Sequence, residues 1–251
     1  MNVVIIGATS GIAHEVAKLY ASEGAQLFIV ARDEAKVLAV ASDLRVRGAS
    51  EVRTFVADLA DRSRDEAIVA AAGASPDVVL IAHGSLPDQR AIDTDAAAQV
   101  AEFDLNATSV IALTAHFANV LERNRRGTLA VIGSLAGDRG RRSNYVYGAA
   151  KAAIHAYCDG LRNRMLDAGA NVVLIKPGWV DTPMTSKIKK NPLFASAPSV
   201  AKRIHRAIAA GWATVYVPGY WRWISLIVRM LLFYVLSIAL IMIVVPWAEV
   251  D

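Results

Sequence analysis

The sequence predicts an α/β fold, a doubly wound parallel sheet with helices on both faces. Three observations carry this. Short runs at residues 3–6, 26–30, 77–82, 128–132 and 171–175 alternate with longer stretches of helical periodicity, the order that parallel crossover units require. The runs are rich in Val, Ile, Leu and Ala almost throughout, with no apolar–polar alternation, as expected of strands covered on both faces. Finally, Gly7-Ala8-Thr9-Ser10-Gly11-Ile12-Ala13 stands directly between the first run and the first helix.

Residues 3–6 are the first strand and 14–22 the first helix. A strand, a glycine-rich turn and a helix N-terminus together make an anion site, because backbone N–H groups lacking intrahelical partners and the helix dipole face the occupant. A pyrophosphate fits there, so Gly7, Thr9, Ser10, Gly11 and Ile12 are expected to line it. Ala13 takes the third small position and still permits close helix–strand approach. The second strand, 26–30, leads to Ala31-Arg32-Asp33, where a dinucleotide-binding, Rossmann-like fold meets the adenosine ribose. A guanidinium there pairs with a 2′-phosphate and a carboxylate with ribose hydroxyls. Arg32 thus favours NADP(H), and its neighbour Asp33 keeps NAD(H) as the alternative.

Residues 34–47 read as a helix, 51–56 as a strand ending at Asp58-Leu59, and 65–73 as a helix. Asp58 is placed either to meet an adenine or to begin a turn. The strand 77–82 ends at His83-Gly84, and His83 either faces the cofactor or is a satisfied loop histidine. A long helix is expected over 96–121, with Asn106 at an otherwise small or apolar position. A buried amide needs partners, so Asn106 belongs to a functional network or caps or bends the helix.

The strand 128–132 ends at Gly133-Ser134, and a glycine- and arginine-rich loop follows at 137–142. Ser143 and Asn144 are helix-capping types, ahead of a helix that runs through Met165. Tyr147 and Lys151 then project one turn apart on one face. An ammonium lowers the pKa of a phenol beside it, which makes the pair a candidate proton donor. Residues 171–175 read as a last buried strand. Pro177-Gly178 and a mobile-looking segment from Thr182 to Pro192 come next, of the kind that encloses substrates.

With 251 residues the chain can bury a full core, and one domain is expected over 1–217. Its 27 basic and 23 acidic side chains give a net charge of +4, too mild for nucleic-acid binding without a clustered basic face. The lone Cys158 excludes an internal disulfide framework and a multi-cysteine zinc site, and it reads as helix packing in a reducing compartment. Residues 218–251 are apolar. Residues 230–248 contain no Asp, Glu, Lys or Arg, close to the ~20 residues that a bilayer-spanning helix needs. Trp221, Trp223 and Trp247 bracket the run as interfacial aromatics would. A membrane-associating C-terminal apolar helix is expected, either spanning or lying in the interface. Lys202, Arg203, Arg206, Arg222 and Arg229 keep the domain on the cytoplasmic side by the positive-inside rule.

Over residues 1–217 the chain resembles the short-chain dehydrogenase/reductase family. The likeness rests on Gly7-x-x-x-Gly11-x-Ala13, Asp58-Leu59, Asn106, Ser134, Tyr147-x-x-x-Lys151 and Pro177-Gly178-x-x-x-Thr182. It implies a nicotinamide dinucleotide across the carboxyl edge of the sheet and a catalytic quartet of Asn106, Ser134, Tyr147 and Lys151. It further implies cofactor contacts from Arg32, Asp58, Leu59, Tyr147, Lys151, Pro177, Gly178, Val180 and Thr182, and a homodimer or homotetramer. In place of the family's Asn-Asn-Ala-Gly this chain has Ile81-Ala82-His83-Gly84. Within the family, segment 137–148 is similar to that of reductases acting on a keto-pentose carried by a polyprenyl phosphate. Arg139, Arg141 and Arg142 would then recognise a phosphate, or else be solvated loop residues or subunit contacts.

The function expected is interconversion of a ketone and a secondary alcohol on a lipid or lipid-linked sugar. A 3-ketoacyl, steroid or retinoid carbonyl is the alternative substrate, and a non-catalytic dinucleotide-binding sensor or scaffold is a further reading.

Overall fold

The computed structural model describes residues 1–228 and 230. Strand β1 (Asn2–Ile6) leads into helix α1 (Gly11–Ser22), β2 (Gln26–Ala31), α2 (Glu34–Val46) and β3 (Glu51–Val56). A short turn of 3₁₀ helix precedes α3 (Asp65–Ala72), then β4 (Val78–Ile81), α4 (Gln89–Ile92), α5 (Ala96–Phe103) and α6 (Ser109–Asn124). The chain continues through β5 (Thr128–Ile132), α7 (Tyr145–Leu166) and β6 (Asn171–Pro177). Next β7 (Val180–Asp181) pairs with β8 (Ala195–Ser196), and α8 (Ala197–Ala209) and β9 (Thr214–Val217) follow. Residues 221–228 are helical.

The main sheet runs β3-β2-β1-β4-β5-β6-β9 and all its pairings are parallel. Alternate side chains of each strand feed two cores. Val3, Ile5 and Leu27 pack with α1, α2 and α8, whereas Val4, Ile6 and Phe28 pack with α3, α6 and α7. Ile5, Ile6, Leu80 and Ile81 are almost wholly buried. At roughly 1.5–3 kcal/mol for each such side chain, the β1–β4 pair is firmly held. Strand order reverses between these two strands, which opens a crevice at their carboxyl ends. Cys158 is buried in the second core, the packing role that the sequence suggests.

Three local features differ from the sequence reading. The sheet does not end at 171–175, because the edge strand β9, reached through α8, extends it. β9 alternates buried and less buried residues as Thr-Val-Tyr-Val, so it lacks the uniform apolar run of the central strands. The helix expected over 96–121 is interrupted by a π-helical turn at Asp104–Thr108. At the start of α7, Asn144 occupies the N-cap position without capping. The amide oxygen of Gln89, from α4, accepts from Val146 N at 3.1 Å instead.

Just past Val217 the chain keeps contact with the domain through Trp221 and Ser225. Trp221 is 7% exposed, and Ser225 Oγ donates to Asp138 at 2.7 Å. The same buried carboxylate accepts from Lys176 Nζ at 2.7 Å and Tyr216 OH at 3.3 Å. It thereby ties the loop after β5 to β6, β9 and the C-terminal helix. Among the described residues no helix is long and apolar enough to cross a membrane. The expected apolar helix over 230–248 lies outside the described residues except for Met230.

Candidate active site

The crevice is a cleft of about 770 Å³. Gly7 turns the chain at the end of β1 with φ +83°, and a side chain there would begin 2.7 Å from the backbone N of His83. Glycine is therefore required both for the left-handed turn and for the approach of β4. Ser10 caps α1 with extended backbone and without a side-chain capping bond, leaving the first N–H groups of the helix without intrahelical acceptors. Thr9, Ser10, Gly11 and Ile12 line the cleft beside them. Further along the rim stand Arg32 after β2, then Asp58 and Leu59 after β3. Asp58 also turns its chain, accepting from Ala60 N at 3.0 Å, as one of its two sequence readings expects. Asp33 is drawn away by capping α2, accepting from Lys36 N at 3.0 Å and pairing with Lys36 Nζ at 3.1 Å.

Ser134, Tyr147 and Lys151 also line the cleft. Burial pushes the pKa of the Tyr147 phenol up, and the Ser134 hydroxyl offsets part of that push. Lys151 is 3% exposed and donates to the Ile132 carbonyl at 3.2 Å. Burial lowers its ammonium to about 8, and Nζ lies 5.5 Å from the Tyr147 ring centroid. With the cleft in this form, then, burial outweighs the lowering of the phenol pKa expected from the ammonium.

Asn106 sits at the centre of the π-helical turn, fully buried. Its amide oxygen accepts from Ser85 N at 3.0 Å. Its amide nitrogen donates to Ser85 Oγ at 2.9 Å and to the Glu102 carbonyl at 3.0 Å. The Glu102 carboxylate lies 3.2 Å from the same nitrogen and also accepts from the Ser85 hydroxyl. The amide thus has partners, and the helix is distorted at its position. Ser85 and Glu102 carry no motif in the sequence. His83 meets Ser109 Oγ at 2.9 Å. Because that hydroxyl donates to the Leu105 carbonyl at 2.8 Å, His83 Nε2 is the donor and Nδ1 a bare acceptor. Burial lowers the ring to about 3, so it is neutral.

Of the loop arginines, Arg141 lines the cleft and Arg139 and Arg142 do not. On the opposite wall Pro177, Gly178, Val180 and Thr182 close the cleft, together with Trp221. A side chain at Gly178 would begin 2.0 Å from Trp221 Nε1, so the indole lies directly on that glycine. Trp221 packs against Trp179 with ring centroids 6.0 Å apart. Leu86, Met184 and Ile188 add an apolar surface. From sequence alone Trp221 reads as an interfacial aromatic. Its placement on Gly178 depends on the fold.

The free helix-start N–H groups, the glycine-lined turn and the polar rim at Arg32 and Asp58 fit a dinucleotide. Fold and cleft together define an oxidoreductase dependent on a nicotinamide dinucleotide. The short chain dehydrogenase family profile matches residues 1–193. An uncharacterized oxidoreductase of Mycobacterium tuberculosis is 33% identical over 232 residues, covering 91% of this chain and 93% of its own. A solved putative betaketoacyl-ACP reductase is similar with TM-score 0.73 and 27% identity, over 85% of this chain and 95% of its own. An actinorhodin polyketide ketoreductase solved with NADPH shares the fold at TM-score 0.78 and 23% identity, over 87% of this chain and 96% of its own. The chain belongs to the short-chain dehydrogenase/reductase family and is an NAD(P)-dependent enzyme of that family.

Proposed function

We propose that the enzyme interconverts a ketone and a secondary alcohol on a lipid or lipid-linked sugar, with NADP(H) preferred over NAD(H), at the cytoplasmic face of a membrane. The observation that carries this reading is the Ser134–Tyr147–Lys151 cluster beside an apolar wall of Leu86, Trp179, Met184 and Ile188. Arg141 stands at the same cleft as a counter-charge for a phosphate-bearing substrate. The similarity of segment 137–148 to the reductase subunit of the decaprenylphosphoryl-ribose epimerase supports a keto-pentose on a polyprenyl phosphate.

In the reducing direction Tyr147 OH gives its proton to the carbonyl oxygen, and the Ser134 hydroxyl holds that oxygen as negative charge develops. The bound nicotinamide supplies the hydride. Lys151 holds the nicotinamide ribose and keeps positive charge near the phenol. Asn106 fixes the loop at Ser85 and positions water that returns a proton to Lys151. Gly7, Thr9, Ser10, Gly11 and Ile12 hold the pyrophosphate. Asp58 and Leu59 meet the adenine, while Pro177, Gly178, Val180 and Thr182 orient the carboxamide. Arg32 meets the 2′-phosphate, a role supported by the engagement of Asp33 with Lys36.

The uncharged run at 230–248 would hold the cleft near a substrate that lives in the bilayer, and a homodimer or homotetramer is the expected assembly. The kinship with a putative betaketoacyl-ACP reductase favours a 3-ketoacyl carbonyl as the second reading. Lipid mass spectrometry of cells carrying Tyr147→Phe separates the two. Accumulation of a keto form of a polyprenyl-linked sugar supports the first, and accumulation of 3-ketoacyl species supports the second.

A further inference from the structure

Away from the catalytic cleft, a groove of about 860 Å³ runs between β9 and helix 221–228. Two arginines reach it from different elements. Arg203, on α8, donates Nε to the Tyr216 carbonyl at 3.1 Å, and its guanidinium lies 5.7 Å from the Trp212 ring centroid. Arg222, on the C-terminal helix, lies 5.9 Å from the Trp223 ring centroid. Neither meets a carboxylate among the described residues. Lys176 lines the floor and is paired with Asp138 at 2.7 Å, so the acid beneath the groove is balanced and does not repel an anion.

The rim is apolar. Trp212 is 43% and Trp223 63% exposed, and Leu226, Ile227 and Met230 continue the exposed surface along the chain. Immediately beyond lies the uncharged stretch 230–248. Guanidinium groups backed by indole faces, with apolar side chains leading away, match an anionic headgroup attached to hydrocarbon.

We propose that this groove binds the phosphate headgroup of an anionic membrane lipid, with Arg203 and Arg222 on the phosphate and Trp223 and Leu226 in the acyl boundary. The proposal rests on the membrane-associated reading above and adds to it a specific headgroup site. Docking in this way sets the orientation of the domain, because Trp221, next to Arg222, also lies on Gly178 in the cleft wall. The groove and the cleft are then fixed to one surface of the bilayer.

The test uses the full chain with vesicles of phosphatidylcholine alone and of phosphatidylcholine doped with phosphatidylglycerol. Wild type is expected to favour the doped vesicles by roughly tenfold, with the preference fading at high salt. Arg203→Gln combined with Arg222→Gln should lose that preference and keep binding to phosphatidylcholine and its melting temperature. Arg222→Glu, at an exposed position, provides the same reading should the double variant fold poorly. Equal wild-type binding to both vesicles overturns the headgroup site and leaves the membrane reading standing, whereas binding to neither overturns both. A variant that changes oligomeric state but keeps the lipid preference makes the groove an interface between copies, and that too overturns the proposal.

Discussion

Lys151 Nζ lies 5.5 Å from the Tyr147 ring centroid and donates to the Ile132 carbonyl at the end of β5. The ammonium is thus tethered to the sheet beside the phenol, and its burial leaves it at about 8, below its ordinary 10.5.

That depression is a stability cost with a definite pH window. Folding favours the neutral amine, so the penalty is fully present below about pH 8 and fades as pH rises towards 10.5. At roughly 1.4 kcal/mol per unit it amounts to about 3 kcal/mol. Lys151→Met should therefore abolish turnover yet raise the melting temperature at pH 7 by several degrees, a gain that disappears by about pH 10.5. Thermal melts at the two pH values decide it, and a lower melting temperature at pH 7 would count against the assignment.

Arg32 is the guanidinium at the expected 2′-phosphate position, and Asp33 is occupied in capping α2. Arg32→Gln should raise KM for NADPH by roughly tenfold or more and leave KM for NADH within about twofold, as loss of a charge-assisted bond predicts. Parallel increases for both cofactors would contradict an NADP(H) preference set here.

Gly178 and Trp221 are in direct contact, so Gly178→Ala must displace the indole. The expected cost is about 1–3 kcal/mol in urea unfolding, as for other overpacked sites. In a Trp221→Leu background the same substitution should cost much less. Equal costs in both backgrounds would show that the contact is not coupled.

Asp138→Asn leaves Lys176 buried without its carboxylate partner. The expected loss is about 3 kcal/mol, largely recovered when Lys176→Met is added. A loss unchanged by the second substitution would place the effect elsewhere among Tyr216, Ser225 and His155.

The strands of the sheet interior were legible in the sequence because burial on both faces leaves an unbroken apolar signal at positions such as Val78–Ile81. β9, at the edge, carries half that signal. The cofactor turn and the Tyr147–Lys151 spacing were legible because they are local, held within one turn of chain. Contacts between distant segments were not. Gln89 capping α7, Ser85 and Glu102 around Asn106, and Trp221 on Gly178 depend on pairings that only the folded chain creates. The π-helical turn at Asn106 is of the same kind, since its amide is held by loop 84–85 rather than by its own helix alone.

The central claim is that the Tyr147 hydroxyl is the proton donor. The direct measurement compares wild type with Tyr147→Phe for ketone-dependent NADPH oxidation, alongside NADPH binding by fluorescence titration. Turnover should fall by roughly 10²–10⁴-fold while NADPH affinity stays within a few-fold. A variant that keeps most of its turnover, or that loses NADPH binding in step with turnover, would contradict the account.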